Sequence, residues 1–540
     1  MTSSISLSQS QFPADRSSEV LESTVGALLR QRAAEYPDRL ALIAVGHEGS
    51  SVRLTYTQLL DEAEKVATAL ATAAPPGAHV ALWAPNVAEW PVIQYGAALA
   101  GVVLVALNPV LTRDELEYAL QHSQATVLIH APRSRSYDMA SVVHALEDRN
   151  PQVRMINLTD RAAWSVEVDR SVLAKREPSD PNQPVMLQYT SGTTGRPKGV
   201  LLRHCSIVNV GRFLMSQLTV EEGATVVNPL PMFHSGSCVS GTLGTLWLAG
   251  TQIVVEKFTP DGVLDIMRTE KATAMIYVPT MLNALVHAQQ CSSLPAPKVR
   301  TLLGGAANVA PALVKSAEET FETSVMIVYG QTELGPVLTT TLRADDRQDV
   351  LSTIGRPLPQ VDVKIVSAET GEVVALGEVG EICARGYQTM IEYYRDAAAT
   401  RATIDSDGYV RTGDLGRMDR RGYISITGRL KELIIRGGEN IAPAEIEGCL
   451  ISHSAVLDVA VVGLPDDYWG EVVAAVVRLK ADVGSVPRSE IESLARDQLA
   501  VHKVPSRWFT IDEFPQTASG KVRKFELVEA LVSGTVEEFL

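Results

Sequence analysis

The run Tyr189-Thr190-Ser191-Gly192-Thr193-Thr194-Gly195-Arg196-Pro197-Lys198-Gly199 gathers the residue types that hold a phosphate. Its glycines let backbone N–H groups approach an anion closely. The hydroxyls of Thr190, Ser191, Thr193 and Thr194 can bond phosphate oxygens, and Lys198 brings a charge. Ordinary surface turns rarely crowd glycines and hydroxyls this tightly. The pattern is not the P-loop of NTPases, which needs Gly-x-x-x-x-Gly-Lys followed by Ser or Thr, because here Gly199 follows Lys198. A second stretch of interest is His234, which ends an apolar Pro-Met-Phe run and precedes Ser235-Gly236-Ser237-Cys238, with Gly241 and Gly244 beyond. Glycine in a helix costs about 1 kcal/mol relative to alanine, so two of them imply that something approaches closely.

Further stretches follow in order: Pro229-Leu230-Pro231-Met232-Phe233-His234, Tyr329-Gly330-Gln331-Thr332-Glu333, Arg411-Thr412-Gly413-Asp414, Gly428-Arg429-Leu430-Lys431-Glu432, Gly437-Gly438-Glu439-Asn440-Ile441 with Pro443-x-Glu445-Ile446-Glu447, and Ser519-Gly520-Lys521. With the phosphate-cradling run, these make the chain resemble the adenylate-forming superfamily of acyl-CoA synthetases, luciferases of the firefly type and the adenylation domains of peptide synthetases. The resemblance covers nearly the whole chain. Details around Ile434 and between Phe514 and Lys521 look most like medium-chain fatty acyl-CoA synthetases, and aryl-acid ligases share much of them.

The resemblance implies an ATP-dependent ligase that makes an acyl-adenylate and then passes the acyl group to coenzyme A. It implies a nucleotide site formed by residues 190–195, Lys198, Gly305, Ala306, Tyr329, Gly330, Gln331, Thr332, Asp414, Arg429 and Gly438. The residue types suit those roles. Tyr329 offers a flat face to adenine and Thr332 a hydroxyl to the α-phosphate. Glu333 offers a hard oxygen to Mg²⁺, an ion that prefers one or two carboxylates plus phosphates and water. Asp414 can accept both ribose hydroxyls, with Arg429 covering the sugar from the other side. By the same resemblance, His234, Ser235, Gly241 and Gly304 line the acyl site, and His234 gates or orients the carboxylate. Asn308 stands where many relatives have proline. Lys521, Thr194, Glu333 and His234 are the implied catalytic set, and Lys431 the implied hinge.

A carboxylate resists nucleophilic attack, so ATP converts one of its oxygens into an AMP leaving group. Charge gathers on phosphoryl oxygens, and the chemistry therefore calls for Mg²⁺, a lysine and N–H or O–H donors more than for a general base. CoA is the expected acceptor, because no long insertion follows the Tyr329 motif and no carrier domain is appended. A carrier-bound thiol or another nucleophile is the alternative acceptor. A relative that has lost its chemistry is the reading from another class, and the joint presence of Thr194, Lys198, Glu333, Asp414, Arg429 and Lys521 argues against it.

Such a site needs a scaffold. Between residues 24 and 131, helical stretches (25–36, 56–71, 88–100, 113–121) alternate with short apolar runs (40–45, 78–83, 102–106, 125–130). That alternation predicts a parallel sheet covered by helices, and 208–337 repeats it. Past residue 355, short strands broken by Gly and Asp predict a small barrel. The fold expected is α/β, with a large N-terminal domain (20–428) of two doubly wound sheets plus a small β-barrel. A small mobile α+β lid (429–540) would follow.

At 540 residues the chain exceeds one hydrophobic core. Its 46% hydrophobic and 21% charged residues are ordinary for a globular protein. A formal charge of −15 argues against nucleic acid or an anionic membrane as partner. The five cysteines are scattered without Cys-x-x-Cys spacing, which implies neither a disulfide framework nor zinc and fits a reducing cytoplasm. No apolar run nears the ~18 residues of a membrane span. The expected partners are a carboxylic acid, ATP and CoA, and the composition is compatible with a homodimer.

Overall fold

The computed structural model describes residues 6–46, 51–190, 196–437, 439–480, 486–516 and 522–539. Ser191, Gly192, Thr193, Thr194, Gly195, Gly438 and Lys521 lie outside them. The chain divides into two compact units, one of residues 12–363 and 384–410, the other of 1–11, 364–383 and 411–540.

The larger unit holds two sheets. In the first, strands Arg154–Asn157, Val127–His130, His79–Trp83, Val103–Leu107 and Pro184–Thr190 run parallel, and Lys198–Arg203 and Glu392–Tyr393 close it antiparallel. In the second, the parallel core runs Ser324–Tyr329, Thr301–Gly305, Ala274–Tyr277, Thr225–Asn228, Thr251–Val255 and Leu40–Val45. The strands are apolar on both faces, as sheets covered on both sides require. Val227, Ile253, Met275, Leu302 and Val325 share one such core with the helices Pro260–Thr269, Pro279–Cys291 and Pro311–Phe321. Two local readings change. Leu40–Val45 joins the second sheet, beside Thr251–Val255, because an apolar strand records its period and not its partner. A further strand, Ser51–Thr55, pairs antiparallel with it at that edge.

In the smaller unit, the barrel expected after residue 355 takes the form of a five-stranded sheet ordered Gln11–Phe12, Val361–Val366, Gly380–Gly386, Val410–Met418 and Ile424–Arg429. The unit boundaries fall inside four of these strands. A second sheet is built on the antiparallel pair Val456–Asp466 and Gly470–Leu479. The apolar run Val472–Val477 is two-sided: Val473, Ala475 and Val477 pack with Ile446, Ile491 and Trp508, whereas Ala474 and Val476 pack with Phe509, Phe514 and Leu527. Strand periodicity thus serves two cores at once.

His204 begins the helix His204–Gln217, and its Nδ1 accepts the Val25 N–H at 3.2 Å. Burial pushes this imidazole down from 6.5 to about 4. It is neutral in the folded protein, whereas the unfolded chain takes up a proton as pH falls through 6.5, so stability is full above that pH and is lost toward pH 4. Unfolding in urea at pH 5 should therefore show about 2 kcal/mol less stability from this group than at pH 7.5. His204→Asn should flatten that part of the profile, and an unchanged slope would remove His204 as its source.

Candidate functional site

The phosphate-cradling run spans the ends of an antiparallel pair in which Thr190 lies opposite Lys198. Thr190 Oγ1 reaches the Lys198 carbonyl at 3.5 Å. The half-buried Lys198 places its Nζ 4.6 Å from the centre of the Tyr393 ring, a cation–π contact. Tyr393 comes from the edge strand Glu392–Tyr393, which pairs with the strand of Lys198. Its hydroxyl donates to Glu333 Oε1 at 2.7 Å. Burial and the Glu333 charge push the Tyr393 hydroxyl well above its ordinary value, so it remains a donor throughout the neutral range. Glu333 is only 8% exposed, and its own carbonyl accepts the Met390 N–H.

Glu333 stands in a short 3-10 turn, Thr332–Leu334, just past the carboxyl end of strand Ser324–Tyr329. The neighbouring strand ends at Gly305, paired with Val328. A Cβ on Gly305 would collide with the Val328 carbonyl, and one on Gly330 with the Pro336 carbonyl. Ala306 takes φ 66°, turning the chain sharply out of the sheet. Gly305, Ala306, Tyr329, Gly330, Gln331, Thr332 and Glu333 are thus gathered at one sheet edge, outside the carboxyl ends of parallel strands, where open α/β sheets bind ligands. Strand Thr225–Asn228 belongs to the same parallel set and leads into the His234 stretch. Ser235 Oγ lies 3.4 Å from Thr332 Oγ1, and the His234 ring sits 4.6 Å from that of Phe233. The structure therefore brings the His234 and Glu333 motifs together.

The helix expected after His234 begins as a π-helix, Gly236–Gly241, and continues as an α-helix, Thr242–Trp247. At Gly241 and Gly244 the close neighbours among the described residues are protein atoms. A Cβ on Gly241 would run into the Asn228 amide, and one on Gly244 would lie 2.7 Å from Met215 Cε. Gly211 on the helix His204–Gln217 would likewise press its Cβ to 2.7 Å from the Gly244 nitrogen. Gly211 and Gly244 let their two helices pack closely, whereas Gly241 seats its turn against the strand residues Asn228 and Ile276. Gly304 abuts the Tyr277 carbonyl of the adjoining strand.

In the smaller unit, Asp414 and Arg429 are cross-strand partners, with Oδ1 2.6 Å from Nε. Asp414 is 3% exposed, and Thr412 Oγ1 accepts its backbone N–H. The two side chains were expected on opposite sides of a sugar, and here they pair directly. Lys431 is exposed in the 3-10 turn Leu430–Glu432. Its neighbour Glu432 is held by Lys524 at 3.0 Å, and Lys524 also bonds Glu447 at 2.7 Å. Burial opposes the Lys524 charge, but Glu447 and Glu432 outweigh it and raise the ammonium above its ordinary value.

Tyr393 is the residue that sequence reasoning missed. The only sign was an aromatic pair, Tyr393-Tyr394, beside a charged Arg395-Asp396, a pattern that reads equally as core. Among the described residues no cluster of three or more His, Cys, Asp and Glu side chains forms a metal cage. A lone buried carboxylate fits Mg²⁺, which takes most of its ligands from phosphates and water. No helix among the described residues is long and apolar enough to cross a membrane.

Two parallel sheets, a glycine- and hydroxyl-rich run in the sequence and a Lys198–Tyr393–Glu333 series at its described end are the features of an α/β enzyme that uses a nucleotide. Residues 29–394 match the AMP-binding enzyme family and residues 445–521 its C-terminal domain, and the chain belongs to that family. YngI of Bacillus subtilis is 36% identical over 95% of this chain and 98% of its own length. The mitochondrial medium-chain acyl-CoA ligase ACSF2 of Danio rerio is 30% identical over 94% and 88%. ATP-bound MatB of Rhodopseudomonas palustris superposes with a TM-score of 0.84 at 27% identity, covering 94% of this chain and 99% of that one. The protein is an ATP-dependent, AMP-forming acyl-CoA ligase.

Proposed function

We propose that the chain activates an aliphatic carboxylic acid of medium or longer length as its acyl-adenylate and transfers the acyl group to CoA. The observation that carries the nucleotide half of this reading is the chain Lys198–Tyr393–Glu333 at the mouth of the 190–198 run. Lys198 supplies positive charge to the phosphates as the substrate carboxylate attacks the α-phosphorus and pyrophosphate leaves. The loop hydroxyls and N–H groups orient the phosphate tail, and Thr332 holds an α-phosphate oxygen. Glu333 would hold Mg²⁺, which when bound neutralises phosphate charge. Tyr329 stacks on adenine beside Gly305 and Ala306, and Asp414 engages the ribose. His234, Ser235 and Gly304 border the carboxyl end of the acid. Lys521 secures the acid carboxylate for the first step, and a rotation near Lys431 exchanges the two steps within a lid of 429–540. The medium-chain preference is supported by the likeness to the ACSF2 ligase. A cytoplasmic setting is supported by five free cysteines.

The deciding experiment is pyrophosphate release from ATP across a panel of linear, branched and aromatic acids, with and without CoA. Release that peaks at C6 to C12 acids, and an acyl-CoA product, are expected. Release with aromatic acids alone replaces the aliphatic reading. Adenylate that accumulates unchanged on addition of CoA replaces the acceptor.

A further inference from the structure

The helix Arg113–Ser123 touches both ends of the 190–198 run, and nothing in the proposed mechanism uses it. It is a stiff element. Thr112 and Glu115 form a reciprocal capping box at its start, and Leu116, Ala119 and Leu120 are buried on its inner face. Tyr118 and His122, one turn apart, stand on the same face. Their rings stack with centroids 5.5 Å apart.

Each takes one end of the run. On the incoming side, Tyr189 immediately precedes Thr190, and its hydroxyl lies 2.9 Å from His122 Nδ1 and 3.1 Å from the Ala119 carbonyl. On the outgoing side, the Tyr118 hydroxyl donates to the Pro197 carbonyl at 3.1 Å, and the Arg196 guanidinium lies over the Tyr118 ring at 5.0 Å. Arg196, Pro197 and Lys198 are consecutive, so this bond fixes the backbone from which Lys198 projects. A third tie comes from behind. The Tyr394 N–H donates to the Gly199 carbonyl at 2.7 Å, its hydroxyl donates to Gln124 Oε1 at 3.0 Å, and the His122 ring bonds the Tyr394 backbone. Gln124 is the left-handed cap that ends the same helix. Strand pairing already sets Tyr189 opposite Gly199 and Thr190 opposite Lys198, and two side chains on one rigid helix brace that pairing from outside, at Tyr189 and at Pro197.

We propose that Tyr118 and His122 are positioning residues for ATP: they hold the two ends of the phosphate-binding run at the spacing the triphosphate needs. The proposal rests on reading 190–198 as the phosphate site. A glycine-rich loop gains binding only if its N–H groups already converge, because ordering it at the moment of binding costs affinity. Fixing its ends from outside removes part of that cost without touching the nucleotide. The surroundings of His122 suit this role. Burial, then the Arg395 charge, push its imidazole below the ordinary value, against a smaller pull from Asp396, so the ring stays neutral beside the Tyr189 hydroxyl.

The test compares steady-state KM values for ATP, acid and CoA in the full-length enzyme. Tyr118→Phe removes one hydroxyl and keeps the ring. His122→Phe keeps a ring and removes Nδ1, whereas His122→Asn places an amide near the lost Nδ1. In Tyr118→Phe and His122→Phe, KM for ATP is expected to rise about three- to tenfold, the size of one lost hydrogen bond, with KM for the acid and CoA unchanged. His122→Asn should recover most of the loss, and the ATP-induced rise in melting temperature should shrink in step in the two Phe variants. Lys198→Met serves as the reference for the phosphate site. If it raises the ATP KM while both Phe variants stay within twofold of wild type, or if they raise all three KM values alike, the positioning role is overturned. If Lys198→Met itself leaves the ATP KM unchanged, the phosphate-site reading falls and the proposal with it.

Discussion

Glu333→Gln should leave the protein folded and lower adenylate formation by about 100-fold or more. The substitution is informative because of what it preserves. An amide oxygen at this position still accepts the Tyr393 hydroxyl, which now bonds Glu333 Oε1 at 2.7 Å, so the buried pair is not orphaned. What disappears is the negative charge. A purely structural carboxylate would tolerate that exchange, whereas one that meets a cation beside the departing pyrophosphate would not. Tyr393→Phe makes the complementary cut: the charge stays and the Tyr393 donor goes. Its expected loss is smaller, about three- to tenfold, since it lets Glu333 turn without removing it. In Glu333→Gln/Tyr393→Phe the rate should fall little below that of Glu333→Gln, because the tyrosine acts through the glutamate. Pyrophosphate release under single-turnover conditions measures all three. Wild-type release from Glu333→Gln at saturating Mg²⁺ would remove Glu333 from the chemistry.

These residues also show where the sequence is readable and where it is not. The 190–198 run stands out in the sequence because neighbours along the chain supply the glycines, hydroxyls and lysine together, and its described ends, Thr190 and Lys198, are paired across two strands. Most helices and strands between residues 24 and 131 were equally readable, since amphipathic period and capping residues such as Thr24, Thr55 and Thr112 act within one or two turns. Partners across long separations left no such trace. Leu40–Val45 shows its strand character but not that its neighbour is Thr251–Val255, two hundred residues on. Tyr393 meets Glu333 across sixty residues, and no periodicity marks the meeting. Gly241 and Gly244 were noticeable as glycines in a helix, but the sequence does not say what approaches them: a strand residue, Asn228, at the first and a helix residue, Met215, at the second.

Lys521→Ala should abolish adenylate formation while sparing conversion of a supplied acyl-adenylate to acyl-CoA, and Lys431→Pro should do the reverse. The ammonium of Lys521 is suited to holding a carboxylate oxygen against the α-phosphorus, a charge-assisted contact that gains strength as water is excluded. Once the adenylate exists that carboxylate charge is gone, and the lysine has nothing left to hold. Lys431 needs no substrate contact to matter. It is exposed in the short turn Leu430–Glu432. Beyond it the chain is fastened, because Lys524 binds both Glu432 and Glu447, and Glu447 also accepts the Val461 N–H at 2.8 Å. A torsional change that begins past Glu432 would have to break these ion pairs, whereas one at Lys431 breaks none of these contacts, which is what the proposed hinge requires. Proline there fixes φ near −65° and removes the residue's freedom to turn. Adenylate formation should lose far less than the CoA step. Acetylating Lys521 removes its charge and should copy the alanine variant. The two half-reactions, followed separately as pyrophosphate release and as acyl-CoA formed from synthetic adenylate, settle the assignment. Loss of only the CoA step in Lys521→Ala, or of only adenylation in Lys431→Pro, would reverse the roles given to the two lysines.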